Sequence, residues 1–360
     1  MIWWSRGHEL YDYYGIPHNR TLGFTYPPFA GITLYPLKYL SQSATYLTWS
    51  AAILVVFALC VDWMLTLAIA RTQPWWLVIA AVAALFLMNP IRDTFSFGQI
   101  NVFLAAAVLA DARGLSDLSR WSGVGTGLAT AVKLTPGIFI VYLVVTRRYR
   151  PAGRAILTAL GVSLVAGAVA PKASLDYWTK VIFASNRIGT IGSPSNQSLY
   201  GFLTHLLNDD AQPEGHAPAA VWVVGCVLVI IVGFGRARRA AVAGDELAGF
   251  TLAGLVGGLV SPIAWIHHLF WIVPACIILF VVAYRSRSWW YWTAAVALYV
   301  CGSASLEVHN RHWGGHHYDG GLLGFVGEDF FPLASLFLIC FLPIRRVPAE
   351  SGLSDPGQSR

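Results

Sequence analysis

Nine long apolar runs leave this chain almost no way to fold as a water-soluble globule. They cover residues 46–70, 75–90, 100–112, 152–170, 219–235, 246–263, 266–284, 288–304 and 329–344. A spanning helix needs about 20 mostly apolar residues, fewer where packing partners thin or bend it. Of the 360 residues only 12% are charged, whereas soluble domains carry charge on roughly a quarter. A chain this poor in charge cannot cover a globule with polar surface. Its 15 Trp and 15 Tyr suit two membrane-water interfaces, where amphipathic rings sit at headgroup level. The pattern predicts an all-α polytopic membrane protein with about nine spanning helices.

The net charge of +6 does not point to nucleic acid, because the basic residues fall in short clusters at the ends of apolar runs. These are Arg147, Arg148, Arg150 and Arg154; Arg236, Arg238 and Arg239; Arg285 and Arg287; and Arg345 and Arg346. Such placement encodes topology. The five cysteines (Cys60, Cys226, Cys276, Cys301 and Cys340) sit inside apolar runs without metal-ligand spacing. They read as small buried hydrophobes, and neither a metal nor a cofactor is expected.

Residues 121–146 are apolar but basic at both ends: they follow Arg113 and Arg120, stop at Arg147 and Arg148, and are broken near the middle by Lys133 and Pro136. This predicts a re-entrant hairpin, whose non-helical backbone must be buried in protein or line a cavity. With that hairpin, Arg71 and the clusters at 113–120, 147–154, 236–239, 285–287 and 345–346 all fall on the cytoplasmic side. The extracytoplasmic side then receives residues 1–45, 90–99, 171–218, 262–266 and 305–328. The tail from Pro348 to Arg360 is polar and expected to be a disordered cytoplasmic segment. Residues 1–347 remain as one membrane-embedded domain.

Residues 1–45 thus lie outside with no signal peptide to carry them across, since Met1 to Trp4 is followed at once by polar residues. The expectation is a spanning helix upstream of Met1, lost or hidden by a misassigned start. A genuine N-out protein is the alternative.

The polar motifs collect on the external side. Read in order, they are GHELYDYY at 7–14, FTYPPFA at 24–30, GQINVFL at 98–104, KLTPGIF at 133–139, NQSLYGF at 196–202 and SPIAWIHH at 261–268. Together they resemble glycosyltransferase family 87, polytopic enzymes of the GT-C fold class, over about residues 7–345. The resemblance implies a GT-C-like helical bundle that takes mannose from a polyprenyl-phosphate donor. The acceptor it implies is a lipid-anchored mannoside of the phosphatidylinositol mannoside or lipomannan type, met at the outer face of the plasma membrane. Transfer of this kind needs a base to deprotonate the acceptor hydroxyl and donors or cations for the leaving phosphate. Enzymes of this fold class carry the base as an Asp in the first external loop. The resemblance places that Asp ahead of Gly7 to Asp12, before Met1, and leaves Glu9 and Asp12 as weak substitutes.

The other candidates have two readings each. His267 and His268 follow a Ser-Pro turn at the outer end of a helix, where one imidazole can meet donor phosphate or sugar, or both can pack at the interface. Arg92 runs against positive-inside placement, which suggests phosphate binding, or pairs locally with Asp93. Gln99 and Asn101 begin a spanning helix and either bond sugar hydroxyls or cap backbone. Asn196 and Gln197 offer amides in the same way, at a formal but weak N-glycosylation motif. Lys133 is a functional suspect as an intramembrane cation, or it snorkels to the cytoplasmic face. His309, His312, His316 and His317 read as a solvated, acceptor-facing loop rather than a metal site.

The expected partners are therefore the lipid-linked sugar, a glycolipid acceptor and membrane lipids. The nearest enzymatic rival is a polyprenyl-phosphate-dependent arabinofuranosyltransferase. A lipid or sugar transporter is the rival of another class, although internal repeats, its usual signature, are not found. An inactive truncated remnant is the third.

Overall fold

A computed structural model describes residues 2–16, 19–116, 118–184, 187–189, 191–207, 217–304 and 321–346. The chain folds as a helical bundle with one small hairpin near its start. After α1 (Ile2–Ser5), strands β1 (Tyr14–Ile16) and β2 (Asn19–Gly23) pair antiparallel, Tyr14 facing Gly23 and Ile16 facing Asn19. The short helix α2 (Pro28–Leu34) leads into α3 (Gln42–Ile69). Ser41 caps α3, its Oγ accepting the Ala44 N–H at 3.2 Å, and Ala70 stops it in the left-handed conformation.

The predicted span at 75–90 is broken. It becomes α4 (Trp75–Phe86) and α5 (Asn89–Ser96), bent by 83°. Pro90, which lacks an N–H and fixes φ, fits only the first turn of the new helix. The predicted external loop 90–99 is therefore largely helical, which carries Arg92 and Asp93 along the face of the bundle.

Next come α6 (Asn101–Ser116), α7 (Val124–Val132) and α8 (Ile138–Val145). The last two are the arms of the predicted hairpin, parted by extended Lys133 and a 3-10 turn at Thr135–Gly137. Both arms start and end at the same end of α9 (Tyr149–Val169). Arg154 Nε donates to the Ser122 carbonyl at 2.8 Å, while α8 runs straight into Arg148 and Tyr149. Gly123, with φ of 103°, lies so close to the Pro151 carbonyl that any Cβ would overlap it. Closure of this kind needs a residue that is both small and at ease at positive φ.

The remaining helices are α10 (Pro171–Thr179), α11 (Leu199–Leu207), α12 (Ala219–Val242), α13 (Glu246–Val260), α14 (Ile272–Ser286), α15 (Trp289–Ser303), α16 (Leu322–Glu328) and α17 (Phe330–Phe341). By length and composition, α3, α9 and α12 each suffice to cross a membrane, and the bent pair α4 and α5 makes a fourth. α9 and α12 hold Leu157, Leu164 and Ile231 outward, as lipid-facing helices do. By contrast α13 is buried along nearly its whole length, from Leu247 to Leu259. Without water to squeeze helices together, close packing depends on small residues. Gly254 of α13 shows this, since a Cβ there would overlap the Trp271 ring.

The predicted span 266–284 starts late. Its first turn is a separate 3-10 turn at Ile266–His268, and α14 begins only at Ile272. The two histidines therefore stand in the connector after α13, ahead of the helix proper.

Four of the arginine-bearing ends meet at one end of the bundle. Arg148 pairs with Glu246 through both terminal guanidinium nitrogens. Arg345 pairs with Asp245 and donates to the Ala68 carbonyl at 2.5 Å, Arg285 donates to the Ile69 carbonyl at 3.0 Å, and Arg236 bonds the Cys340 and Leu342 carbonyls. The ends of α3, α8, α12, α14 and α17 thus converge, as the positive-inside pattern requires. The His309–His317 loop and the tail from Pro348 lie outside the described residues.

Candidate functional site

At the end of the bundle opposite the arginines, a cleft opens between α6, α8 and α13. Its upper wall is polar, with Asn101, Lys133, Thr135, Ser261 and His268, and its depth is apolar, with Leu104, Val108, Phe139 and Trp271 among the lining residues. An amphiphile with a charged head and an apolar tail suits such a lining.

α7 brings Lys133 to this place. The buried carboxylate of Asp111, on α6, accepts the Thr126 N–H at 2.6 Å and the Gly125 N–H at 3.3 Å, satisfying the free donors at the start of α7. Asn101 lies ten residues, about 15 Å, further along the same helix. At that level Lys133 Nζ donates to Asn101 Oδ1 at 3.2 Å and lies 3.0 Å from His268 Nε2. The lysine is thus directed to the cleft, not to the arginine-rich end as snorkelling would demand.

Asn101 has its other hand on the histidine turn: Nδ2 donates to the His267 carbonyl at 2.8 Å. His268 Nδ1 accepts the Trp265 N–H at 3.2 Å. The His267 ring stands edge-on to both His268, at 4.6 Å, and Phe97, at 5.9 Å. Behind them, Tyr26 donates to Gln99 Oε1 at 3.2 Å and places its ring 5.2 Å from Lys133 Nζ. Tyr11 in turn donates to the Tyr26 carbonyl at 3.0 Å, joining the first two motifs. Lys133, His268, His267, Asn101 and Gln99, five of the candidate residues, thus form one cluster. Tyr26 is its unexpected sixth member.

The others are placed differently. Arg92, on α5 against the histidine turn, donates to Asn89 Oδ1 at 2.6 Å and does not line the cleft. Asn196 donates to the Ile191 and Pro262 carbonyls and accepts the Ala264 N–H. Gln197 donates to the Pro194 and Glu328 carbonyls. These two amides staple three loops together, and they support the cleft from behind. Glu9 is 42% exposed and pairs with Lys172 at 2.9 Å, while Asp12 is also exposed. Among the described residues, no Asp or Glu lines the cleft.

A second buried polar centre lies beside this staple. His205 Nδ1 is 2.9 Å from Asp329 and 4.0 Å from Glu328, and its Nε2 is 3.1 Å from the Ser193 carbonyl. Nothing at sequence level drew it out, because its carboxylate partners lie more than 120 residues away.

The cleft can hold an anion against a buried amine, an imidazole and the Asn101 amide. That is the equipment of a group that binds a leaving phosphate. The chain is 34% identical over 336 residues to a polyprenol-phosphate-mannose-dependent alpha-(1-2)-phosphatidylinositol mannoside mannosyltransferase of Mycolicibacterium smegmatis, covering 86% of this chain and 74% of that protein. The protein of the same name from Mycobacterium tuberculosis is 31% identical, over 79% of this chain and 69% of its own length. A phosphatidylinositol pentamannoside mannosyltransferase of M. smegmatis is 33% identical, over 74% and 63%. No solved structure matches. The profile of glycosyltransferase family 87 covers residues 24–262, from the Tyr26 motif to the start of the histidine turn, and this membrane-embedded chain belongs to that family.

Proposed function

We propose that the protein transfers mannose from a polyprenyl-phosphate donor to a lipid-anchored mannoside at the outer face of the plasma membrane. The observation that carries this reading is the cleft itself, a head lined by Lys133, His268 and Asn101 above an apolar trough. The named relatives supply the sugar and the donor class. In this reading the donor phosphate lies against Lys133, His268 and Asn101, and Gln99 and Tyr26 border the sugar. As the acceptor oxygen attacks the anomeric carbon, its proton passes to solvent, the bond to phosphate breaks and charge grows on the oxygen of the departing polyprenyl phosphate. Lys133 and the imidazole N–H of His268 are placed to stabilise that charge.

The outer placement is supported by the arginine ends gathered at the far side of the bundle. The test is transfer by purified protein in lipid from polyprenyl phosphates bearing mannose, glucose or arabinofuranose to a phosphatidylinositol mannoside. Transfer of mannose above the others is expected. Preference for arabinofuranose, or no transfer from any of them, would overturn the reading.

A further inference from the structure

We propose that Lys133 meets its ligand as a neutral amine and takes up one proton from solvent as the phosphate of the lipid-linked sugar settles against it. This rests on the donor-binding reading above and adds a protonation state that the fold itself dictates.

The hydrogen bonds around His268 leave little choice. Trp265 N–H points at Nδ1, so that nitrogen must offer a lone pair. A neutral imidazole with an unprotonated Nδ1 carries its proton on Nε2. Nε2 faces Lys133 Nζ at 3.0 Å. An ammonium has three protons and no lone pair, so it would set N–H against N–H there. A neutral amine fits: it accepts from His268 Nε2 and donates to Asn101 Oδ1 at 3.2 Å. The Asn101 amide is itself fixed, because its nitrogen is used on the His267 carbonyl. Turning the His268 ring over would put carbon where both bonds now form.

The surroundings agree. Lys133 is 9% exposed, and among the described residues no ion pair includes it. A buried ammonium without a counter-charge is costly, and the group sheds its proton instead. The titratable and charged neighbours are few. His267 and His268 stand in the histidine turn, and Tyr26 in the segment before α2. On α5, packed against the turn, Arg92 is engaged with Asn89 and Asp93 has a partner of its own. α6, α8 and α13 present only Asn101 and uncharged side chains to the cleft.

A bound phosphodiester brings the missing negative charge. One solvent proton then adds to the Nζ lone pair, and no other bond is made or broken. The His268 N–H loses its acceptor on Nζ and is freed to donate to a phosphate oxygen. The site thus becomes cationic only when its anion is present.

The experiment is titration calorimetry of the protein in lipid nanodiscs at pH 8, with a short-chain polyprenyl phosphomannose, in buffers of different ionisation enthalpy. A phosphodiester has no proton of its own to exchange in this range, so uptake reports on the protein. About one proton per ligand is expected for the wild type. In Lys133→Arg, always charged, binding without uptake is expected, while His267→Gln should keep the uptake. Wild-type binding with no uptake overturns the proposal, as does uptake that survives in Lys133→Arg. Failure of the wild type to bind the phosphodiester at all would instead overturn the donor reading beneath it.

Discussion

Asn101 receives Lys133 on its oxygen and holds the His267 carbonyl with its nitrogen, so one amide ties the tip of the hairpin to the histidine turn. The two tethers reach across 32 and 166 residues of sequence. Asn101→Ala should remove both and lower mannose transfer by about tenfold or more, roughly 1.4 kcal/mol of transition-state stabilisation. Asn101→Asp should be worse, because a carboxylate beside Lys133 repels the phosphate. Steady-state kinetics with varied donor would show it, and an unchanged kcat/KM in Asn101→Asp would contradict the assignment.

The other end of α7 depends on Asp111. Its carboxylate satisfies the buried Thr126 N–H and the half-buried Gly125 N–H, and leaving a buried donor unmet costs about 1–3 kcal/mol. Asp111→Ala should lower the unfolding temperature of the purified protein and reduce transfer through a displaced Lys133. Asp111→Asn keeps one acceptor oxygen and should fall between. Equal unfolding temperatures for all three proteins would show that the cap does not hold the hairpin.

His205 makes stability depend on pH. Burial works against its charged form, but the hydrogen bond to Asp329 and the charges of Asp329 and Glu328 outweigh burial and raise it above the ordinary value of 6.5. A folded-state value above the unfolded one means the stabilisation is full below about pH 6.5 and lost as pH climbs through the raised value. Unfolding temperature should therefore drop between mildly acid and alkaline pH. The drop should be smaller in His205→Gln. An identical pH profile in that variant would remove His205 from the account.

Topology can be tested directly. With the five native cysteines replaced, a Cys at Thr179, the last residue of α10, should react with an impermeant reagent on intact cells. A Cys at Ser286, beside the arginine-rich end, should react only after lysis. The reverse pattern would invert the orientation.

What was legible in sequence divides along physical lines. Lys133 stood out because a cation in an apolar hairpin is costly wherever it sits, and the hairpin itself was legible from basic residues at both ends. The target of Lys133 was not, because Asn101 and His268 are brought to it only by tertiary packing. Asn196 and Gln197 were visible as a motif, but their partners Pro262 and Glu328 decide that they act as staples. The bend after Phe86 was hidden, because an apolar run gives no sign of direction and Pro90 is equally at home in a loop. Tyr26 lay in a recognised motif, but an aromatic beside two prolines carries no mark of its chemistry.

The central claim is that Lys133 binds the donor phosphate, and it is tested most directly by transfer of radiolabelled mannose from polyprenyl phosphomannose by the wild type, Lys133→Met and Lys133→Arg at matched expression. Lys133→Met should lose at least a hundredfold in kcat/KM, about 2.7 kcal/mol, and Lys133→Arg should regain part of it because charge is restored without the same reach. Transfer by Lys133→Met within a few-fold of wild type would contradict the account.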